Sequence, residues 1–156
     1  MTLLYFAYGS NLAKTEMEEW CAEHRFLGAA RLGGYRLELR RRSIRWGAGV
    51  LDLVATPGAE AWGALYELPG VALERLDAKE GAGFAYARVE VEPVLDGEPR
   101  RAVAYEVIDK EPEQVACSPE YTELVLAGAR ERGLPDEWLR ELEAGLGAGG
   151  AGKTDR

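Results

Sequence analysis

Leu3-Leu4-Tyr5-Phe6-Ala7-Tyr8-Gly9-Ser10-Asn11-Leu12 is the stretch on which the reading of this chain turns. Its apolar and aromatic run, Leu3 to Tyr8, has the length and composition of a buried strand. The run stops at Gly-Ser-Asn, and helix-compatible residues follow from Ala13 to Trp20. Gly9 suits either a positive φ or a close backbone approach, and Ser10 or Asn11 is chemically able to cap the next helix. A strand that ends in such a turn presents unpaired backbone N–H groups, to which a carboxylate, an oxyanion or plain water can bind.

Working outward, apolar runs and turn residues divide the chain. Arg25–Arg31 and Tyr35–Arg40 read as strands about Gly33-Gly34, a common hairpin pair, and Val50–Ala55 and Ala61–Glu67 as strands about Thr56-Pro57-Gly58-Ala59. Pro69-Gly70 opens a helix that runs to Lys79 or Glu80, with Gly81 as its stop. Tyr86–Val91 alternates and is expected to pair with Arg101–Ile108 by way of Asp96-Gly97. Ser118-Pro119 has the form of an N-cap followed by proline at N1. Tyr121, Leu124, Val125 and Gly128 then repeat at helical spacing. Gly133 closes that helix, and Pro135-Asp136 starts a short one. Strands interrupted by single helices predict an α+β domain over 1–144 with a small, curved mixed sheet. The Gly/Ala-rich residues 145–156 are expected to form a flexible tail.

Composition narrows the function. The chain has 156 residues, 47% hydrophobic and 29% charged, the profile of one globular domain. No apolar run nears the roughly 20 residues of a membrane helix, and no basic region precedes the first apolar stretch as in a signal peptide. A cytoplasmic protein with no membrane partner is therefore expected. A net charge of −8 argues against nucleic acid, and the Arg40-Arg41-Arg42 cluster with Arg45 reads as a solvated loop. With one histidine, His24, and two cysteines, Cys21 and Cys117, no metal site is expected. His24 reads as a surface residue and Cys21 as a half-buried thiol. No cofactor motif is present, so none is expected. Trp138 is read as exposed and open to a partner contact, and a second copy of the chain stays open as a partner.

Four colinear blocks resemble the γ-glutamylcyclotransferases. They are Tyr5-Phe6-Ala7-Tyr8-Gly9-Ser10-Asn11-Leu12; Trp62-Gly63-Ala64-Leu65-Tyr66; Leu76-Asp77-Ala78-Lys79-Glu80-Gly81 with Tyr86-Ala87-Arg88-Val89-Glu90-Val91; and Ser118-Pro119-Glu120-Tyr121. The resemblance spans about Leu3 to Leu142. It implies a small barrel-like fold and an enzyme that cyclises a γ-glutamyl amide to 5-oxoproline, releasing the amine. It also implies Glu80 as general acid/base and a substrate site at Tyr5, Phe6, Ala7, Tyr8, Gly9, Ser10, Asn11, Tyr86 and Tyr121. The segment around Arg40–Gly49 would read the leaving amine. Asn11, where relatives acting on γ-glutamyl-lysine or specific for glutathione carry leucine, favours the branch acting on γ-glutamyl amino acids and dipeptides. At Tyr86 this chain departs from the pattern, with one residue fewer after Glu80.

The residues bear on those roles independently. Glu80 would sit at the negative end of a helix dipole, with Asp77 three residues back on the same face, and both effects favour the protonated acid. Strand alternation puts Phe6 and Tyr8 on one face and Tyr5 and Ala7 on the other, so some of these residues must contribute backbone or packing instead. Tyr121 fits either a core stripe or a substrate contact. Two alternatives stay open: another γ-glutamyl amide-transforming enzyme on the same scaffold, and a non-catalytic domain that binds γ-glutamyl groups.

Overall fold

A computed structural model of the chain describes residues 1–154, with side chains described through 147. Seven strands, β1 (Thr2–Ala7), β2 (Arg25–Ser43), β3 (Ala48–Pro69), β4 (Tyr86–Val91), β5 (Val94–Leu95), β6 (Glu98–Pro99) and β7 (Ala102–Val107), form one sheet. Their order is β4-β7-β1-β3-β2-β5-β6. Every neighbouring pair is antiparallel except β1 and β7, so the sheet is mixed, as expected. Four helices accompany it: α1 (Lys14–Trp20), α2 (Gly70–Glu80), α3 (Pro119–Glu131) and α4 (Asp136–Thr154).

The chain passes from β4, at one end of the strand order, to β5, near the other end, through Glu92 and Pro93 alone. So few residues span at most about 3.5 Å each, so the two ends of the sheet must lie close together. A seven-stranded sheet can do this only by curling into a half-barrel, the native twist carried nearly to closure. The curled face holds the core, built around Phe6, Leu12, Met17, Leu53, Leu65, Tyr66, Leu76 and Val125.

The middle of the sheet departs from the expectation of two tight hairpins. Gly33-Gly34 and Thr56-Pro57-Gly58-Ala59 do not reverse the chain. They lie opposite one another within a single long hairpin, where Gly33 pairs with Glu60 and Tyr35 with Ala55. The turn-forming residues accommodate this register shift as an irregularity that bends both strands. The true reversal lies at 44–47, between β2 and β3. Asp96-Gly97 does turn, with both φ positive, but it closes the small β5–β6 pair. Strands β4 and β7 pair as expected, from Tyr86 with Val107 to Val91 with Ala102.

The helix ends follow their residues. Gly81 takes the left-handed conformation at the end of α2, with φ 66°, a geometry that favours glycine. Ser118 Oγ accepts the Tyr121 N–H at 3.1 Å, and Pro119 occupies the first turn of α3. Residues Ser10–Leu12 form one 3-10 turn, and neither Ser10 nor Asn11 caps α1 through its side chain. The Lys14 N–H in the first turn of α1 instead donates to Glu131 at the end of α3, at 2.9 Å. Helix α4 continues past residue 145, and Leu146 is buried. Of the tail expected over 145–156, residues 145–154 continue α4, and residues 155–156, with the side chains past 147, lie outside the described residues. Trp138, expected to be exposed, is only 8% accessible, because it sits on the inward stripe of α4 with Leu142.

Candidate active site

A cavity of about 370 Å³ opens where β1, the Ser10–Leu12 turn, the tip of the β2–β3 hairpin, and the ends of α2 and α3 meet. Its wall includes Glu80, the last residue of α2. The Gly81 cap stops the helix there, and the next residues, 81–85, turn along the rim.

Glu80 is held by a chain of polar groups. Asn11 Nδ2 donates to Glu80 Oε2 at 3.3 Å and to the Tyr5 hydroxyl at 2.8 Å. Asn11 Oδ1 accepts from the Lys79 ammonium. A carboxylate on one side and an ammonium on the other fix which way the amide points. Lys79 Nζ also lies 2.9 Å from Glu16 Oε1, and Arg45 grips Glu16 with two bonds of 2.8 and 2.9 Å. Glu16 and Lys79 are almost fully enclosed, so the pair and the Arg45 fork stand in for the water each has lost. Those partners hold the Glu16 carboxyl down at about 2, against the opposing effect of its own burial. Burial pushes Glu80 the other way, above the ordinary range, outweighing Lys79, the Asn11 bond and Arg45, with Glu16 adding to the rise.

That direction agrees with the sequence reading, but the expected cause does not. Asp77 does not act on Glu80 as a neighbouring free charge. Its carboxylate is taken by Arg88 and, at 2.6 Å, by the Tyr105 hydroxyl, and it stays below its usual range.

Five tyrosines complete the wall. The Tyr8 hydroxyl donates to the Tyr105 carbonyl at 2.6 Å, and the Tyr121 hydroxyl accepts the Leu51 N–H at 3.0 Å. Burial raises the hydroxyls of Tyr5, Tyr8, Tyr86, Tyr105 and Tyr121, and the Glu80 charge adds to the effect, so all five remain neutral donors. Gly9 has no positive φ; it serves close approach. A Cβ there would stand 3.2 Å from the Tyr121 oxygen.

The turn itself is braced from behind. The Tyr66 hydroxyl donates to the Asn11 carbonyl at 2.7 Å, and buried Arg132 gives its Nε–H to the Leu12 carbonyl at 3.0 Å while lying over the Tyr66 ring. The first hydrogen bond inside the turn runs from the Leu12 N–H to the Gly9 carbonyl. Preceding amides therefore have no carbonyl within the turn to satisfy them.

Of the residues expected at the site, Tyr5, Tyr8, Gly9, Ser10, Asn11, Glu80, Tyr86 and Tyr121 line this one cavity. Phe6 and Ala7 do not. Phe6 is wholly buried, and both residues back onto Gly63 of β3. Tyr5 and Tyr8 share the cavity despite the alternation argument because β1 ends at Ala7 and frees Tyr8 from strand geometry. The arginine cluster is solvated only in part: Arg42 is exposed as expected, but the others are engaged. Arg40 bonds Glu38 and two carbonyls, Arg45 holds Glu16, and Arg41 lies over the Tyr86 ring. Cys21 is fully buried, and His24 Nδ1 lies 2.7 Å from the Cys21 carbonyl with its ring edge-on to Tyr66. Glu16, Lys79, Tyr105 and Arg45 were not singled out as site residues from sequence. Their clue is only that three charges fall near Asn11 in space, which no spacing along the chain displays.

The model of the AIG2-like family matches residues 60–142. Mouse gamma-glutamylcyclotransferase is 30% identical over 92% of this chain and 78% of its own length, and the human protein is equally similar. A solved structure of a gamma-glutamyl cyclotransferase superposes with a TM-score of 0.87 at 29% identity, covering 92% of this chain and 88% of that one.

Proposed function

The chain belongs to the γ-glutamylcyclotransferase family and also matches the AIG2-like family, and on that premise we propose how its residues divide the work. By the family resemblance described above, an enzyme of this type turns a γ-glutamyl amide into 5-oxoproline and a free amine. The nucleophile is the substrate's own α-amino nitrogen, which attacks the γ-carbonyl carbon and closes a five-membered ring. Folding the substrate back on itself gives effective concentrations on the order of 10⁵ M or more for internal attack. The protein must therefore hold that conformer and move protons.

Glu80 moves them. Two protons leave the α-ammonium nitrogen as it becomes a lactam N–H, and two reach the departing nitrogen as it becomes an ammonium. A carboxylate facing both nitrogens carries them one at a time, and the C–N amide bond breaks as the leaving nitrogen is protonated. The observation that carries this reading is the setting of Glu80: half-buried in the cavity wall, raised in pKa by desolvation, and bonded through Asn11 to the wall that also bears the glycine turn. A raised pKa moves the carboxyl away from permanent ionisation and toward the range useful for proton exchange.

The amides of Gly9, Ser10 and Asn11 bind negative charge, either the α-carboxylate or the oxyanion of the tetrahedral intermediate. In the second role each donor contributes about 3 kcal/mol. The hydroxyls of Tyr5, Tyr86 and Tyr121 orient the folded substrate.

The test is to incubate purified protein with γ-glutamyl amino acids, peptides and amines and follow 5-oxoproline together with the released amine. Hydrolysis to free glutamate in place of 5-oxoproline would point to a different amide chemistry on this scaffold. Binding without product would point to a non-catalytic domain.

A further inference from the structure

The cationic side chains at the cavity do not share one fate. Lys79 and Arg45 both converge on Glu16. Arg41, three residues before the hairpin tip, lines the same cavity, yet it meets no carboxylate within ion-pair reach and makes no hydrogen bond among the described residues. Its one specific contact is with the Tyr86 ring, whose centroid lies 5.7 Å from the guanidinium carbon. Stacking on a ring limits where a guanidinium can go while leaving its five N–H donors unspent. Such a group, half-enclosed at the edge of a cavity, is prepared for an anion.

Its position indicates which anion. Arg41 is half-buried in the wall, between buried Tyr86, on whose ring it lies, and the hairpin tip at Ile44. Ile44 and Phe84 are 95% and 78% exposed and so mark the mouth. Glu80 and Asn11 sit inside. With the reacting nitrogens at Glu80, the glutamyl half of the substrate fills the interior against the Gly9–Asn11 turn, and the leaving half extends to the mouth.

We infer that Arg41 is a specificity-determining residue that binds a carboxylate on the leaving amine, and that this chain thereby selects γ-glutamyl amides whose released amine is an amino acid with a free carboxyl group over those releasing a neutral or purely cationic amine. The inference rests on the cyclotransferase reading above. Charge balance favours it: a substrate with two carboxylates and one ammonium enters with a net negative charge, and Arg41 is the lining cation not already committed to Glu16.

The experiment compares γ-glutamyl-alanine with γ-glutamyl-alaninamide, which differ only in that carboxylate, in the native enzyme and in the R41Q and R41K variants. The native enzyme should favour the free acid by about tenfold to a hundredfold in kcat/KM, the range expected of a charged hydrogen-bonded contact. In R41Q that ratio should fall to near one, with the loss carried in KM, and R41K should recover part of it. A native enzyme that does not discriminate, or an R41Q variant that keeps the full preference, overturns the inference. So does an equal KM loss on both substrates in R41Q, which would place Arg41 on the glutamyl carboxylate instead. In all three outcomes 5-oxoproline still forms. If no substrate yields 5-oxoproline in the native enzyme, the cyclotransferase reading itself fails and the assignment falls with it.

Discussion

At the scale of single residues, Glu80 and Glu16 are two carboxyls a short distance apart that the fold drives in opposite directions. Glu80→Gln keeps shape and hydrogen bonding but cannot carry a proton. It should lower kcat by about 10²-fold to 10⁴-fold and leave the circular dichroism spectrum intact; substantial turnover would remove Glu80 from the mechanism. The free carboxylate is the proton-accepting form, so kcat/KM should fall as pH drops through the Glu80 pKa. That acid limb should lie above the range of an ordinary glutamate, since burial raises the group. The stability signs differ. A raised folded pKa means Glu80 contributes stability that is present at low pH and lost as pH climbs through that value, so Glu80→Gln should be neutral or slightly stabilising above neutrality. Glu16 contributes stability present above its unfolded value, which is lost as pH falls toward about 2. Glu16→Gln strands Lys79, only 7% exposed. It should cost about 3 kcal/mol in urea unfolding at pH 7, the size of a broken buried pair, and raise KM through the displaced Asn11.

At the scale of elements, the glycine turn is fixed by the helix packed behind it. Gly128 of α3 lies so close to the turn that a Cβ there would stand 2.5 Å from the Ala13 nitrogen and 2.7 Å from the Leu12 carbonyl carbon. Gly128→Ala should destabilise by about 1–3 kcal/mol through overpacking and weaken substrate binding as the turn shifts. Gly33→Ala, with open space about it and no positive φ, is the control and should show neither effect. Element identity was largely legible in the sequence. The N-cap at Ser118, the stop at Gly81 and the pairing of Tyr86–Val91 follow from local chemistry. Gly33-Gly34 and Thr56–Ala59 misled because the residues of a tight turn are also those of a bent, irregular strand. What decides between them is the partner strand, and β2 and β3 pair along nearly their whole length. The site was legible in part for a similar reason. Glu80, Tyr121 and the turn stand in local motifs. Arg45 and Tyr105 reach the cavity from elements far along the chain, Glu16 stands behind its wall through Lys79, and Phe6 could be set aside only once its ring was seen packed against Gly63.

At the scale of the whole molecule, the cavity draws on β1, the tip of β2–β3, the end of α2, β7 and α3 together. It therefore cannot survive the loss of any layer, and activity and fold should vanish in one urea transition. Ligand should stabilise the whole in return. A γ-glutamyl-alanine concentration 100-fold above Kd adds about 2.7 kcal/mol. For a domain of this size that raises Tm by roughly 5–10 °C, measured in Glu80→Gln so that the substrate persists. The absence of such a shift would mean that this cavity does not bind it. The brace behind the turn, Tyr66 and Arg132 on the carbonyls of Asn11 and Leu12, bears on how the encounter unfolds in time. A receptor anchored from the rear has little disorder left to surrender when its guest docks. Capture should then run as a single kinetic phase whose rate climbs in proportion to concentration without levelling off, the signature of a lock already cut for its key.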